Sequence, residues 1–142
     1  MLRFTKRADY GLMAIHYIAI HDEGAVSAKR IAEEFSIPQE LLAKILQRLA
    51  KQRLIVSQNG PKGGYVLSRR AAEISVGEVI RALEGPINIV SCLEDSECPQ
   101  MERCSLRRPV QKLQAAITQM LDTISLAELT TEDVPEIFTI RA

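Results

Sequence analysis

The chain has 142 residues and a mass of 15.8 kDa, with 46% hydrophobic and 25% charged residues. That is the profile of one soluble domain, or a small domain with an appendage, able to bury a core without disulfide staples. Only 4% of residues are aromatic and none is Trp, which disfavours the base-stacking platforms of single-strand binders, and no apolar run reaches membrane-spanning length. Formal net charge is zero, yet residues 1–70 carry 12 Lys and Arg against 6 Asp and Glu while residues 71–142 carry the reverse. A basic half suited to a polyanion is joined to an acidic half with another task.

Arg3, Lys6, Arg7 and Asp9 are not followed by a small-residue cleavage site, so the start does not read as a secretory signal and the expected location is cytoplasmic. Residues 5–21 lack Pro and are apolar on nearly every side, which predicts a helix sandwiched between other elements. Ser27 suits the N-cap of a short helix, SAKRIAEEF, with Ile31, Ala32 and Phe35 on one face. Ser36-Ile37-Pro38 ends it, and Pro38 fits the first turn of a third helix reaching about Gln52. There Leu41, Leu42, Ile45, Leu46 and Leu49 form one stripe, while Glu40, Ala43, Lys44, Gln47, Arg48 and Lys51 form the opposite, mostly basic face. Two short helices joined by a tight turn, the second basic outside, describe a helix-turn-helix. Residues 54–58 and 65–68 flank a Gly-Pro turn and predict a β-hairpin wing, with Gly60, Gly63 and Gly64 supplying positive φ and close backbone approach.

Ser75 and Glu78 are spaced as a capping box opening a helix through Val79, Ile80 and Leu83, ended by Gly85-Pro86. Residues 86–108 lack a sustained period. They hold Cys92, Cys98 and Cys104, a C-x5-C-x5-C triplet in a polar setting. In a chain read as cytoplasmic, such cysteines point to metal or redox work. The spacing suits zinc poorly and an iron–sulfur cluster better, with reactive thiols as the other reading. From Pro109, Val110, Leu113, Ile117, Met120 and Ile124 step alternately by three and four. Such a seam needs another helix, most economically its own copy in a twofold dimer. A short amphipathic piece, Ser125 to Leu129, follows. The chain thus divides into a winged helix-turn-helix DNA-binding domain (1–85), a cysteine-bearing loop (86–108) and a long C-terminal dimerisation helix with tail (109–142), mainly α overall. No nucleophile–base pair or phosphate loop suggests an enzyme.

DYGL near the start, LLAKILQRLAKQRLI in the third helix, the wing NGPKGGYVLSR, the helix EISVGEVIRALEG and the cysteine triplet together resemble the IscR/NsrR/RirA family. Its members are dimeric winged-helix bacterial repressors carrying an iron–sulfur cluster in a loop before the dimerisation helix. The resemblance covers residues 1 to about 130 and implies a transcriptional regulator binding a pseudo-palindromic operator in double-stranded DNA. It implies Cys92, Cys98 and Cys104 as cluster ligands. Members with a [2Fe-2S] cluster have His three residues after the last Cys, where this chain has Arg107. NsrR-like members draw an Asp from the first helix of the other subunit, and the matching residue is Asp9. Asp9 is therefore the candidate fourth ligand and [4Fe-4S] the expected cluster, with His16 and His21 as fallbacks. Because carboxylate binds iron more weakly than thiolate, such a site would suit a sensor. Apart from ligation, Asp9 reads as a helix-start carboxylate.

For DNA, Gln39, Glu40, Lys44 and Gln47 are expected toward the major groove. Arg48, Lys51, Arg3, Lys6 and Arg7 should face phosphate, and Lys62 with Gly63 at the wing tip the minor groove. Family members often place Arg before the wing's Gly-Pro; here Asn59 stands there. Singly, each cation is an ordinary solvated side chain. Gathered on two surfaces of one winged helix, they point to DNA. The alternative is a thiol-redox or zinc-dependent transcriptional regulator using the same cysteines.

Overall fold

The computed structural model describes residues 3–90, 92 and 98–131; residues 93–97 of the cysteine segment and the tail 132–142 lie outside the described residues. Thr5 starts helix α1 (Lys6–Ile20) by accepting a hydrogen bond from the Ala8 N–H, and Ser27 starts α2 (Ala28–Phe35) likewise through Arg30. Ser36 closes α2 in the left-handed region, at φ 52°, and Ile37 tucks its buried side chain beneath the turn. Pro38 stands one residue ahead of α3 (Gln39–Lys51), flanking the helix rather than occupying its first turn. Strands β1 (Ile55–Gln58) and β2 (Gly64–Leu67) pair antiparallel as the wing, and Val26 bridges to Tyr65 on its far side. The wing glycines divide their labour. Only Gly60 has positive φ, at 120°, while Gly64 lies so close to the Val26 carbonyl that a Cβ would collide with it.

The core is built from Ile15, Ile31, Leu42, Ile45, Leu46, Leu49, Ile55, Ile74, Leu83 and Leu126, each under 2% exposed. α1 sits at its centre, as its near-continuous apolar surface predicts, touching α3, α4 (Val76–Glu84), β2 and α6 (Leu126–Leu129). Gly11 of the DYGL segment is where α4 crosses α1, since a Cβ there would strike the Leu83 side chain. Helix α5 (Arg107–Thr123) departs from this body. Its end returns to the body: Val76 N–H donates to the Ile124 carbonyl and Leu126 N–H to the Ile74 carbonyl, both at 2.8 Å. The short piece after α5 is therefore a core element. Burial of Leu126 alone is worth about 1.5–3 kcal/mol.

The capping box of α4 forms as expected, with Glu78 accepting from the Ser75 N–H at 2.9 Å and pairing with Arg69 at 2.9 Å. Partial burial would push the Glu78 carboxyl up, but the hydrogen bonds from Ser75 and Arg69 and the Arg69 charge outweigh it and hold it below the usual carboxylate range. A depressed folded-state value stabilises the fold above the unfolded value of about 4.3, and that gain is lost as pH falls through the folded value. Glu78→Gln should lower the melting midpoint at neutral pH, and the difference from wild type should shrink in acid. A difference unchanged between neutral pH and strong acid would show that the carboxylate charge contributes nothing.

Candidate functional site

The outer face of α3 is built as its periodicity predicts. Leu42, Ile45, Leu46 and Leu49 are buried, whereas Gln39, Glu40, Lys44, Gln47, Arg48 and Lys51 are exposed. Leu41 sits at the boundary and shares a shallow groove with Arg7, Lys44, Gln47, Arg48 and Lys51. α1 thereby adds a cation to the α3 face. Two of these cations also hold structure: Arg48 donates to the Leu83 carbonyl at 2.8 Å and Arg7 reaches the same oxygen at 3.4 Å. That oxygen belongs to the last turn of α4, where the helix dipole favours positive charge. Arg48 is thus fastened between α3 and α4 rather than a freely solvated cation, while Lys44, Gln47 and Lys51 have no side-chain partner among the described residues. Lys6 lies 5.7 Å from the centre of the Tyr10 ring. Arg3 and, at the wing tip, Lys62 are exposed, and Gly63 is half-buried.

Cys92, Cys98 and Cys104 line one small hollow together with Met101 and Arg107. All three are free thiols, the first two half-buried and the third exposed. Among the described residues no three His, Cys, Asp or Glu side chains gather round a position for a single ion. The hollow, about 20 Å³, has room for roughly one water. Three thiols on one hollow form the kind of soft donor set that an iron–sulfur group or zinc takes. Arg107, at the start of α5, brings a cation to the same hollow.

Asp9 is placed elsewhere. It lies half-buried in the first turn of α1 and is not among the residues lining the cysteine hollow of its own chain. The histidines are engaged: His16 Nε2 is 3.1 Å from the Leu129 carbonyl, and His21 Nδ1 is 2.8 Å from the Tyr17 carbonyl with its ring stacked on Tyr17.

α5 has no buried residue among its 17. Val110 and Ile117 are half-buried and Leu113 is 52% exposed, leaving an apolar stripe without a cover in a single chain. The expected seam needs correction at its end. Ile124 is 6% exposed and packs against Val76 and Ile80 of its own chain with Met120 beside it, because α5 must return to α4 there. Ile124 is spent on the α4–α5 joint and is not available to a partner helix. The Arg81–Asp122 ion pair, at 2.7 Å, locks the same joint.

One contact carries no local sequence signal. Gln114, half-buried on α5 beside Val110, Ile117 and Leu121, accepts from the Ile89 N–H at 2.9 Å and donates to the Ile87 carbonyl, gripping the strap that leads from α4 to Cys92. A lone Gln in an amphipathic helix is ordinary; only the folded strap gives it a role.

The family profile Rrf2, described as iron-dependent transcriptional regulator, matches residues 4–132. The HTH-type transcriptional regulator IscR of Serratia proteamaculans is 34% identical over 129 residues, covering 90% of this chain and 79% of that protein. Among solved structures, CymR, the global cysteine regulator of B. subtilis, superposes with a TM-score of 0.77 at 30% identity, covering 94% of this chain and 100% of that one. IscR of T. potens superposes with a TM-score of 0.73 at 31% identity, covering 99% and 94%.

Proposed function

Because the chain belongs to the Rrf2 family and is an IscR-like transcriptional regulator, we propose that it is a cytoplasmic, homodimeric repressor whose grip on a pseudo-palindromic operator follows an iron–sulfur cluster. The observation that carries this reading is the convergence of all three cysteines on one hollow at the foot of the exposed helix α5. Cys92, Cys98 and Cys104 would hold the cluster, [4Fe-4S] in preference to [2Fe-2S], with Asp9 of the partner subunit as fourth ligand. The cluster when bound would supply an iron with one weakly held, exchangeable position. The chain's own residues do the rest. Arg107 offsets thiolate charge, and Val110, Leu113, Ile117 and Met120 meet their copies across the twofold axis. Gln39, Glu40, Lys44 and Gln47 face base edges, and Arg3, Lys6, Arg7, Arg48 and Lys51 face phosphate. Lys62 and Gly63 approach the minor groove.

A second reading is favoured by the likeness to CymR: a thiol-redox or zinc-dependent regulator using the same cysteines. Anaerobically purified protein decides between them. Iron and acid-labile sulfide with visible absorption support the cluster. Colourless protein that carries zinc, or whose operator affinity changes on thiol oxidation alone, supports the second reading.

The DNA face has its own test. Lys44→Ala and Lys62→Ala should weaken operator binding by about 1–3 kcal/mol where the side chain reaches a base, and less where it reaches only phosphate. A phosphate contact also lowers the slope of log affinity against log salt by about 0.9. Unchanged affinity of both variants at low salt would place the DNA face elsewhere.

A further inference from the structure

We propose that Gln114 is the residue that couples the cysteine segment to the DNA-facing helix α3. The inference rests on the preceding assignment of α3 to DNA and of the cysteines to signal reception. Its basis is two sets of polar contacts joined by the short backbone segment between residues 83 and 89. Gln114 holds residues 87 and 89 through a donor and an acceptor on one amide, in the manner of a neighbouring strand. Thr118, one turn on, stands 3.3 Å from its Nε2. The strap it holds begins at Gly85-Pro86, directly after the Leu83 carbonyl that receives Arg48 of α3 and Arg7 of α1. Thr5 donates to Glu84 at 2.6 Å, adding the start of α1 to the same junction. Toward its other end the strap runs to Cys92.

The mechanics follow from where α5 is fixed. Its C-terminal end is locked to α4 by the Arg81–Asp122 pair and the Val76–Ile124 hydrogen bond. Gln114 lies eight residues before Asp122, about 12 Å along the helix axis. Arg107, on the cysteine hollow, lies about 10 Å further out. A displacement at the cysteines therefore reaches Gln114 by a lever hinged at the joint, and Gln114 passes it to the strap, the end of α4 and Arg48. A polar side chain half-buried in front of two backbone groups is costly to disengage, because both would lose their partners.

Coupling between two sites is reciprocal, so DNA bound at α3 must alter the cysteine segment to the same degree. The test uses full-length apoprotein and a DNA duplex selected by the protein from a random pool, and reads the alkylation rate of Cys92 by iodoacetamide with and without saturating DNA. Wild type should show a rate difference of about fivefold or more. Gln114→Leu, which fills the same space without the amide, should bring the ratio close to one while leaving DNA affinity as in wild type, with a lower melting midpoint because the Ile87 carbonyl and the Ile89 N–H lose their partner. Gln114→Glu, which accepts from Ile89 but cannot donate to Ile87, should do the same at neutral pH and guards against a packing defect of the leucine. A wild-type ratio near one, or variants that keep the wild-type ratio, would overturn the proposal. Neither result touches the cysteine assignment, which stands or falls on iron content.

Discussion

Replacing any one of Cys92, Cys98 and Cys104 by serine is expected to strip the protein of iron while leaving it folded. Serine keeps the size but replaces a soft thiolate with a hard, protonated hydroxyl, a poor iron ligand. The three thiols lie on a surface hollow, and none belongs to the buried set that carries the core. Far-ultraviolet circular dichroism and the melting midpoint of the apoprotein should therefore match wild type. Iron and acid-labile sulfide per chain should fall roughly tenfold or more, the loss expected when one of few ligands is removed. Three variants that each retain wild-type iron would remove these residues from the site. Cys104, exposed beside Arg107, is the most informative of the three because nothing packs over it to confuse the outcome.

The second large effect concerns the dimer. Leu113→Asp should convert the protein to monomers in sedimentation and reduce operator affinity by about a hundredfold or more, since full affinity requires two half-sites engaged together. Leu113 is 52% exposed in the single chain, so the substitution leaves the chain's own core untouched and acts only where a second copy would lie. A carboxylate pressed into an apolar seam costs several kcal/mol, and the twofold axis presents it twice. Ile124→Asp is the necessary contrast. It would unfold the joint between α4 and α5 instead of separating intact subunits, because Ile124 is buried within one chain. A Leu113→Asp protein that stays dimeric with wild-type affinity would exclude this face of α5 as the interface.

The winged helix was legible because its signals are local. Capping residues Thr5, Ser27, Ser75 and Ser125 satisfy N–H groups within three residues of themselves. The stripe on α3 needs only its own periodicity to show which side goes inward. The cysteine spacing likewise singled out the three thiols that the structure brings to one hollow.

What sequence alone determined about this protein was therefore its elements, their inward faces and the identity of the chemically able residues. Only the tertiary structure decided which of these meet. It placed Arg48 on the carbonyl of Leu83, 35 residues away, and so made a cation of the exposed α3 face also a fastening of α4. It withdrew Ile124 from the exposed apolar stripe of α5, because the chain must turn back there to bring Leu126 into the core. It kept Asp9 off the cysteine hollow of its own chain, so that ligation by Asp9 requires a second copy. It gave Gln114 a partner 25 residues distant that no periodicity marks. The physical reason is plainest for Arg48 and Gln114. A cap or an apolar stripe is decided by neighbours along the chain, whereas a polar side chain takes its partner from whichever backbone groups the packing of other elements leaves unpaired beside it.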